Sequence, residues 1–331
     1  MSKYSKNILV TGGGGFIGSN FLVYMVNKYD NIRFINIDKL TYCSNLQYLK
    51  NIDNKSNYKF IKSNINNHEL VLHILNEYNI DTVVHFAAQS HVDNSFRESI
   101  KYTKDNVLGT HSLIETCKIY GNIKKFVHVS TDEVYGESVD DNRKNENSLL
   151  QPTNPYAATK AAAEHIVQSY YRSFNFPIII TRGNNVYGRF QYPEKIIPKF
   201  ITLINNGKKC TIHGDGCNKR TYIHISDVVN AFELIIFKGI IGEIYNIGSE
   251  NEFSNLHIAK KIINYIKPNV DYNNFIEYVK DRDFNDKRYH IDSIKLKELG
   301  WIEKKEFSIG LKETIQWYLN IGLKNHYFLN R

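Results

Sequence analysis

Cysteines and long apolar runs are scarce in this chain of 331 residues, and each scarcity excludes a class of protein. The four cysteines, Cys43, Cys117, Cys210 and Cys217, do not form the disulfide framework of a small secreted domain. No stretch reaches the roughly 18 apolar residues that a membrane helix needs, and the first residues lead into a predicted strand without an apolar leader. We therefore expect a cytoplasmic protein with reduced thiols and no membrane partner.

A concentrated basic patch is also missing. Lys and Arg number 42 against 34 Asp and Glu, which gives a formal charge of +8, but the basic residues are spread along the chain. A scattered excess favours a solvated surface and a positive field that attracts phosphate-bearing ligands. Without a basic run interleaved with aromatic residues, or a known reading module, we expect no nucleic-acid partner.

Metal ligands with a standard spacing are absent as well. Cys210, His213, Cys217 and His224 are the one group that could pass for a metal site. Their spacing fits no standard zinc pattern, and the segment alternates like strand and loop. We predict no metal.

The first half of the chain alternates β-branched runs with helical patterns. The predicted strands are Asn7–Val10, Arg33–Ile37, Tyr58–Lys62, Thr82–Phe86, Lys125–Val129 and Ile178–Arg182. Helical periodicity covers Phe16–Tyr29, His68–Tyr78, Val107–Tyr120 and Tyr156–Phe174. This order is typical of right-handed crossovers, so we predict an α/β fold with a doubly wound parallel Rossmann sheet.

The composition and periodicity of the sequence change after Gly183, where Gly, Asn and Pro cluster and the strand and helix patterns become irregular. We therefore predict a dinucleotide-binding Rossmann domain over residues 1–183. Residues 184–331 are predicted to form mainly a smaller C-terminal substrate-binding lobe. A segment near residues 223–247 is expected to return to the main sheet.

A glycine-rich turn follows the first predicted strand. Gly12, Gly15 and Gly18 form a GxxGxxG pattern, which permits a tight turn, backbone approach to a pyrophosphate and close helix packing. The pyrophosphate would lie on the N-terminus of the following helix. Asp38 ends the second strand twenty residues past Gly18. Its carboxylate would accept hydrogen bonds from ribose hydroxyls and repel a 2′-phosphate, which predicts NAD, although Lys39 beside it could soften that preference.

Two further motifs suggest proton transfer. Tyr156 and Lys160 are four residues apart at the start of a predicted helix, so they share one helix face. We expect a neighbouring ammonium and a cationic nicotinamide to lower the pKa of the Tyr156 phenol. Asp132 and Glu133 follow Thr131 at the carboxyl end of a parallel strand, where such sheets bind ligands. An acid and a base beside a hydride acceptor is the interpretation we favour.

With these residues in place, the chain resembles the nucleotide-sugar 4,6-dehydratases of the extended short-chain dehydrogenase/reductase superfamily, from Ile8 to about Tyr318. The matching motifs are Asp38–Asn45, Ala87–Phe96, Thr131-Asp132-Glu133, Thr181–Gly188, Tyr192–Lys195, His213–Gly216 with Arg220, and Asp281–Tyr289. The resemblance implies a hydro-lyase of nucleotide-sugar metabolism that makes a 4-keto-6-deoxy sugar for rhamnose or another deoxysugar. It also implies a homodimer formed through two long helices, here near Val107–Tyr120 and Tyr156–Phe174.

The resemblance assigns chemical roles by position. Tyr156, helped by Thr131 and Lys160, takes the proton of the sugar 4-hydroxyl while hydride leaves C4 for NAD. Glu133 then removes the C5 proton and Asp132 protonates the departing C6 hydroxyl. Hydride returns to C6, so that NAD is regenerated in every turnover.

The resemblance also implies two sets of binding residues. The NAD-contacting set is Gly12, Gly15, Phe16, Ile17, Gly18, Asp38, Lys39, Thr41, Asn64, Ile65, Phe86, Ala87, Ala88, Ser90, Tyr156 and Lys160. The set that contacts the nucleotide-sugar substrate is Ser90, Thr131, Asn185, Lys195, Ile196, Arg220, Asn255, Asp281 and Arg282. Arg220 suits a diphosphate because its planar guanidinium can bond two oxygens at once.

Three residues depart from the bacterial thymidine-type pattern. Gln89 replaces a Glu, Asn64 replaces an adenine-contacting Asp and Asp283 replaces a Pro. Gln89 and the Asn184-Asn185 string are closer to the dehydratase part of plant rhamnose synthases, which use UDP-glucose, so we favour UDP-glucose over dTDP-glucose.

Two alternatives stay open. One is a nucleotide-sugar epimerase or decarboxylase on the same fold, and the adjacent acids Asp132 and Glu133 argue against it. The other is a non-catalytic NAD or nucleotide-sugar binding protein. Such a protein would have little reason to retain Thr131, Tyr156 and Lys160 together with the two acids.

Overall fold

The computed structural model describes residues 4–138, 142–281 and 286–323. The strands in this part of the chain are β1 (Lys6–Thr11), β2 (Ile32–Asp38), β3 (Tyr58–Lys62), β4 (Thr82–His85), β5 (Lys125–Thr131), β6 (Ile178–Gly183), β7 (Asn185–Tyr187), β8 (Cys210–His213), β9 (Lys219–His224), β10 (Ile244–Ile247), β11 (Glu252–Ser254) and β12 (Ile276–Val279).

The α-helices of the same ranges are α1 (Phe16–Lys28), α2 (His68–Glu77), α3 (Val92–Arg97), α4 (Ser99–Tyr102), α5 (Gly109–Tyr120), α6 (Pro155–Phe174), α7 (Ile196–Asn205), α8 (Ile225–Lys238), α9 (Asn255–Ile266), α10 (Ile294–Glu298) and α11 (Phe307–Trp317). Short 3₁₀ turns cover Leu46–Leu49, Asp132–Tyr135 and Tyr272–Phe275, and π-helical turns cover Thr103–Leu108 and Tyr318–Gly322.

A seven-stranded sheet forms the centre of the molecule, in the order β10-β6-β5-β4-β1-β2-β3. Every neighbouring pair is parallel. The chain builds outward from β1 through β2 to β3, then returns to β4 on the other side of β1. In an open α/β sheet, ligands bind in the crevice that such a reversal opens at the carboxyl ends of the strands.

Helices cover both faces of this sheet. On one face α1 and α8 bury Phe21, Met25 and Phe232 against β1 and β2. On the other face α2, α5 and α6 bury Leu75, Leu113 and other apolar side chains. Strands buried on two faces need continuous apolar runs, and Ile8, Leu9 and Val10 are fully buried.

The residues after β6 divide between the main sheet and a second lobe. Strand β10 pairs with β6 at the edge of the main sheet, with Ile247 opposite Gly183. Helices α7, α9 and α11 pack with β8, β9 and β12 around a separate core. Two small sheets, β11-β9-β7 and β12-β8, support that lobe. The predicted fold class, a doubly wound parallel sheet with a smaller C-terminal lobe, is confirmed.

Within the described ranges, each helix is either too short or too polar to cross a bilayer.

Candidate active site

A long cleft follows the carboxyl edge of the main sheet and continues under the C-terminal lobe. Its walls contain the glycine turn after β1, the ends of β2, β4, β5 and β6, and residues from the segment before α7. The reversal between β1 and β4 therefore places the glycine turn, the acidic pair and the tyrosine–lysine pair in one cavity.

The glycine turn fits a dinucleotide because its backbone leaves no room for side chains. Gly12 has a φ of 74°, and a Cβ added there would lie 2.6 Å from the Ala87 nitrogen. A Cβ at Gly18 would lie 2.5 Å from the Gly12 carbonyl oxygen. Gly15 forms the N-cap of α1. A Cβ added at Gly15 would lie 3.3 Å from the Gly12 carbonyl oxygen, so this position is less crowded than the other two. The N-terminus of α1 thus faces the cleft, in a position that suits a pyrophosphate.

Asp38 is buried at the end of β2 and holds the edge of this cofactor region together. Its Oδ2 accepts from the Gly14 N–H at 2.9 Å, and its Oδ1 accepts from Leu40 N–H at 2.7 Å and from the Ser44 hydroxyl at 3.1 Å. A carboxylate oriented in this way still presents lone pairs to the cleft, where they can accept from ribose hydroxyls.

Asp105 forms a polar cluster with Lys39 and Gln89 on the cleft wall. Lys39 Nζ lies 2.7 Å from Asp105 Oδ1, and Gln89 Nε2 donates to Asp105 Oδ2 at 2.7 Å. The Gln89 backbone is fixed in turn by Asn106, which accepts from Gln89 N–H at 2.7 Å and donates to Gln89 O at 3.1 Å. Both oxygens of Asp105 are therefore held by donors from separate segments.

Tyr156 and Lys160 lie buried on the first turns of α6. Burial and the nearby Glu133 charge raise the pKa of the Tyr156 phenol above its ordinary value, and a hydrogen bond with Thr131 opposes that rise. Lys160 Nζ donates to Val129 O at 2.6 Å, and burial lowers its pKa to about 8. Desolvation is the largest influence on the phenol pKa, so the expected lowering by an ammonium and a cationic nicotinamide together stays a prediction.

Asp132 and Glu133 begin a 3₁₀ turn at the end of β5. Asp132 accepts from Asn184 Nδ2 at 2.7 Å, and Glu133 accepts from Asn154 Nδ2 at 3.0 Å. Burial and the Glu133 charge raise the pKa of Asp132 to about 7. Burial also raises the pKa of Glu133, whereas Asn154, Lys195 and Arg220 lower it. Two neighbouring carboxyls, one buried and one partly buried, cannot both ionise easily, so the pair retains a proton near neutral pH.

A buried ion pair supports the helix that carries Tyr156. Arg182 Nη2 lies 2.7 Å from Glu164 Oε2, with the two side chains 2% and 0% exposed. Arg182 also donates to the Tyr135 hydroxyl at 2.7 Å, which ties α6 and β6 to the turn after the acidic pair. Glu164 is one α-helical turn beyond Lys160, and its charge partly opposes the fall in the Lys160 pKa.

The mouth of the cleft is closed by contacts between distant segments. Tyr42 donates to the Glu194 carboxylate at 2.9 and 3.0 Å, and Lys195 Nζ donates to Ser90 O at 2.8 Å. These bonds connect the loop after β2 and the segment before α3 with the segment that precedes α7.

The structure brings most of the predicted site residues into this cleft. Its lining includes Gly12, Gly15, Phe16, Ile17, Gly18, Asp38, Lys39, Thr41, Asn64, Ile65, Phe86, Ala87, Ala88, Ser90, Thr131, Asp132, Glu133, Tyr156, Lys160, Asn185 and Lys195.

Four predicted substrate residues do not line the cleft. Ile196 packs against the core of the C-terminal lobe, and Asn255 begins α9 with its N–H donating to Asn218 O at 3.2 Å. Asp281 lies against the Gly214 turn. Arg220 is placed over the Tyr289 ring at 4.9 Å, although its charge still favours ionisation of both acids. Arg282 and Asp283 lie outside the described residues.

The site also contains residues that the sequence reasoning did not single out. They are the side chains that hold the predicted ones: Asp105, Asn154, Asn184, Glu164 and Glu194. Asn154 carried a local signal, since an Asn before a proline-started helix is a typical N-cap. Asn184 and Glu194 lie in motifs of the family resemblance, which assigned them no role, and Asp105 and Glu164 carried no local signal.

The possible metal ligands are dispersed. Cys210 is buried in β8 while Cys217 is exposed. Across the part of the chain that the structure covers, no three His, Cys, Asp or Glu side chains are close enough to hold a metal ion.

Comparison with known proteins gives consistent matches over most of the chain. The family model described as GDP-mannose 4,6 dehydratase matches residues 9–314. The chain is 49% identical to a dTDP-D-glucose 4,6-dehydratase of Dictyostelium discoideum, over 99% of this chain and 84% of that protein. It is also 49% identical to a trifunctional UDP-glucose 4,6-dehydratase/UDP-4-keto-6-deoxy-D-glucose 3,5-epimerase/UDP-4-keto-L-rhamnose-reductase of Arabidopsis thaliana, over 96% of this chain and 48% of that longer protein.

Among solved structures, a dTDP-glucose 4,6-dehydratase of Bacillus anthracis in complex with NAD is similar, with a TM-score of 0.89 and 42% identity. The match covers 96% of this chain and 98% of that one.

Proposed function

The chain belongs to the nucleotide-sugar 4,6-dehydratases of the extended short-chain dehydrogenase/reductase superfamily, and from this premise we propose that it dehydrates UDP-glucose with NAD as cofactor. The product would be the UDP-linked 4-keto-6-deoxy sugar. The observation that carries this proposal is the convergence of Tyr156, Asp132 and Glu133 in the cleft that the glycine turn opens.

The first step needs a base at the sugar 4-hydroxyl. The glycine turn and Asp38 would hold NAD, which would supply a hydride acceptor for C4 and a hydride donor for C6. Tyr156 takes the hydroxyl proton, and Thr131 orients the phenol through the hydrogen bond that opposes its raised pKa. A positive charge beside the phenol favours its ionised form. Tyr156 would therefore act as the base when NAD, with its cationic nicotinamide, is bound in the cleft.

The elimination step needs one acid and one base. Asp132 is the proton donor to the C6 hydroxyl, because its pKa of about 7 keeps much of it protonated at neutral pH. Glu133 is the base at C5, because Lys195, Arg220 and the Asn154 amide all favour its ionised form. The two neighbouring carboxyls thus divide the roles through their surroundings.

The choice of the uracil nucleotide rests on the family resemblance. Gln89 replaces the Glu of the thymidine-type pattern, as in the plant UDP-glucose branch, and in the structure its amide donates to Asp105. The 49% identity to a relative named for dTDP-glucose equals the identity to one named for UDP-glucose. The preference for UDP-glucose over dTDP-glucose is therefore tested by assaying the two substrates side by side.

The decisive assay incubates the full chain with UDP-glucose and, in parallel, with dTDP-glucose. We expect a product lighter by one water, no net consumption of NAD, and a higher kcat/KM for UDP-glucose. A product of unchanged mass would indicate an epimerase. No reaction with either glucose nucleotide, together with loss of carbon dioxide from UDP-glucuronic acid, would indicate a decarboxylase. A higher kcat/KM for dTDP-glucose would reverse the nucleotide assignment while leaving the dehydratase in place.

We also propose a homodimer formed through the helices near α5 and α6. Leu108 and Phe174 each leave 55% of their surface exposed at the ends of these helices, although both are large and apolar. Light scattering should give twice the chain mass; a single chain mass at micromolar concentration would exclude the dimer.

A further inference from the structure

The inference starts from the charge balance where the adenosine ribose would lie. Asp38 and Lys39 are adjacent and both line the cleft. Lys39 is therefore well placed to attract the 2′-phosphate that Asp38 repels, and a free ammonium there would oppose the selection for NAD. In the structure this ammonium is already paired, at 2.7 Å from Asp105.

We infer that Asp105 is a specificity-determining residue for the cofactor, because it holds Lys39 away from the position of a 2′-phosphate. This inference rests on the proposed use of NAD. Two carboxylates would then select against NADP: Asp38 repels the 2′-phosphate, and Asp105 pairs with the Lys39 ammonium so that it does not bind that phosphate.

The geometry of Asp105 suits this task. Its side chain is 16% exposed, so the pair is partly shielded from solvent, and its second oxygen accepts from Gln89 at 2.7 Å. Gln89 is itself fixed through its backbone by Asn106. A carboxylate anchored at both oxygens loses little entropy on pairing, which makes the contact stronger than an ordinary surface ion pair.

The π-helical turn Thr103–Leu108 explains how Asp105 reaches the cleft. The turn precedes α5 and carries Asp105 and Asn106 in consecutive positions. Asp105 contacts Lys39 on the cleft wall, while Asn106 donates to Gln89 and Thr159. Wide turns of this kind are frequent at functional sites.

The test compares binding of NAD and NADP to the full chain freed of bound nucleotide, by calorimetry. Asp105→Asn keeps the shape and removes the charge. We expect NADP to bind about tenfold more tightly than it binds the unmodified chain, since a hydrogen bond from an ammonium to a phosphate is a strong one. NAD affinity should change by less than about threefold, and the NADP gain should shrink as salt is raised.

Two further variants identify the cause. Lys39→Met in the Asp105→Asn background should abolish the gain, because the ammonium is what the phosphate contacts. Glu98→Gln is the matched control: it breaks an exposed pair with Lys101, at 3.0 Å, and removes the same charge outside the cleft lining. It should leave both affinities unchanged.

Several outcomes would overturn the inference. Unchanged NADP affinity in Asp105→Asn, with NAD still bound, would refute it alone. Equal weakening of both dinucleotides would make Asp105 a plain cofactor contact, and a gain that survives Lys39→Met would make it a general charge effect. An unmodified chain that binds neither dinucleotide would instead contradict the proposed function, and this inference with it.

Discussion

At the scale of single residues, the site is organised by what each carboxyl is bonded to. Asp132 is buried and its sequence neighbour Glu133 is partly buried, and their hydrogen-bond partners differ. The charge of Arg220 acts on both carboxyls, whereas the charge of Lys195 favours the ionised form of Glu133. The proposed roles of acid and base therefore follow from the surroundings of the two carboxyls more than from their residue types.

This assignment predicts a pH dependence. With a pKa of about 7, Asp132 is the protonated acid below neutrality and loses its proton above it, so turnover should fall as pH rises through 7. Asn184→Ala removes a bond that stabilises the ionised form. The alkaline limb of kcat should then move to higher pH by about one unit, since a hydrogen bond to a charged group is worth about 1.5 kcal/mol.

The control for this shift is Asn185→Ala, which changes the next residue of the cleft lining without touching the Asp132 carboxyl. It should alter KM and leave the alkaline limb in place. If the alkaline limb of kcat stays fixed in Asn184→Ala, or moves to lower pH, Asp132 is not the acid whose titration sets that limb.

Short sequence motifs predicted several residues of the site, but not the distant residues that contact them. Tyr156, Lys160, Asp132 and Glu133 could be found because short motifs place them at a helix start and a strand end. The Tyr42–Glu194 contact could not, because the residues are 152 positions apart and neither belongs to a periodic pattern. Contacts of this kind arise only when the two lobes are assembled.

At the scale of elements, helix α6 connects stability with chemistry through its N-cap. Asn154 accepts from Ala157 N–H at 2.9 Å, which caps the helix, and its amide donates to Glu133 at 3.0 Å. One side chain therefore both begins the helix that carries Tyr156 and holds the proposed base.

The two roles of Asn154 can be separated. Asn154→Ala should lower the free energy of unfolding by about 1 kcal/mol, and Asn154→Ser should lower it by less, because serine still caps. Both variants should slow the elimination step about tenfold, since neither donates an amide hydrogen to Glu133. Urea unfolding and single-turnover kinetics check this; full activity in the serine variant would remove Asn154 from the chemistry.

The limits of helices and strands followed from periodicity where the chain is regular. Strands β1 to β6 and helices α1, α2 and α6 lie where the sequence predicted them, within one or two residues at most ends. The predicted helix Val107–Tyr120 begins two residues later, at Gly109, because Val107 and Leu108 belong to the π-helical segment Thr103–Leu108. A 3.6-residue period cannot reveal an inserted residue, and this segment is the one that brings Asp105 to the cleft.

At the scale of the whole molecule, function depends on the reversal of strand order between β1 and β4. This reversal opens the crevice, the glycine turn and Asp38 form its cofactor side, and β5 with α6 supply the proton-transfer groups. The C-terminal lobe closes the other side. Four substrate residues of this lobe that the family resemblance implied, Ile196, Arg220, Asn255 and Asp281, lie outside the cleft lining, and their contact with substrate stays a prediction.

The most direct test follows a label through the proposed cycle. UDP-glucose carrying deuterium at C4 should give a 4-keto-6-deoxy product with that deuterium on C6, because the hydride is removed and returned within one closed site. Mass spectrometry and NMR of the product would show it. Deuterium released into free NADH or solvent, or a product that keeps its C6 hydroxyl, would contradict the account.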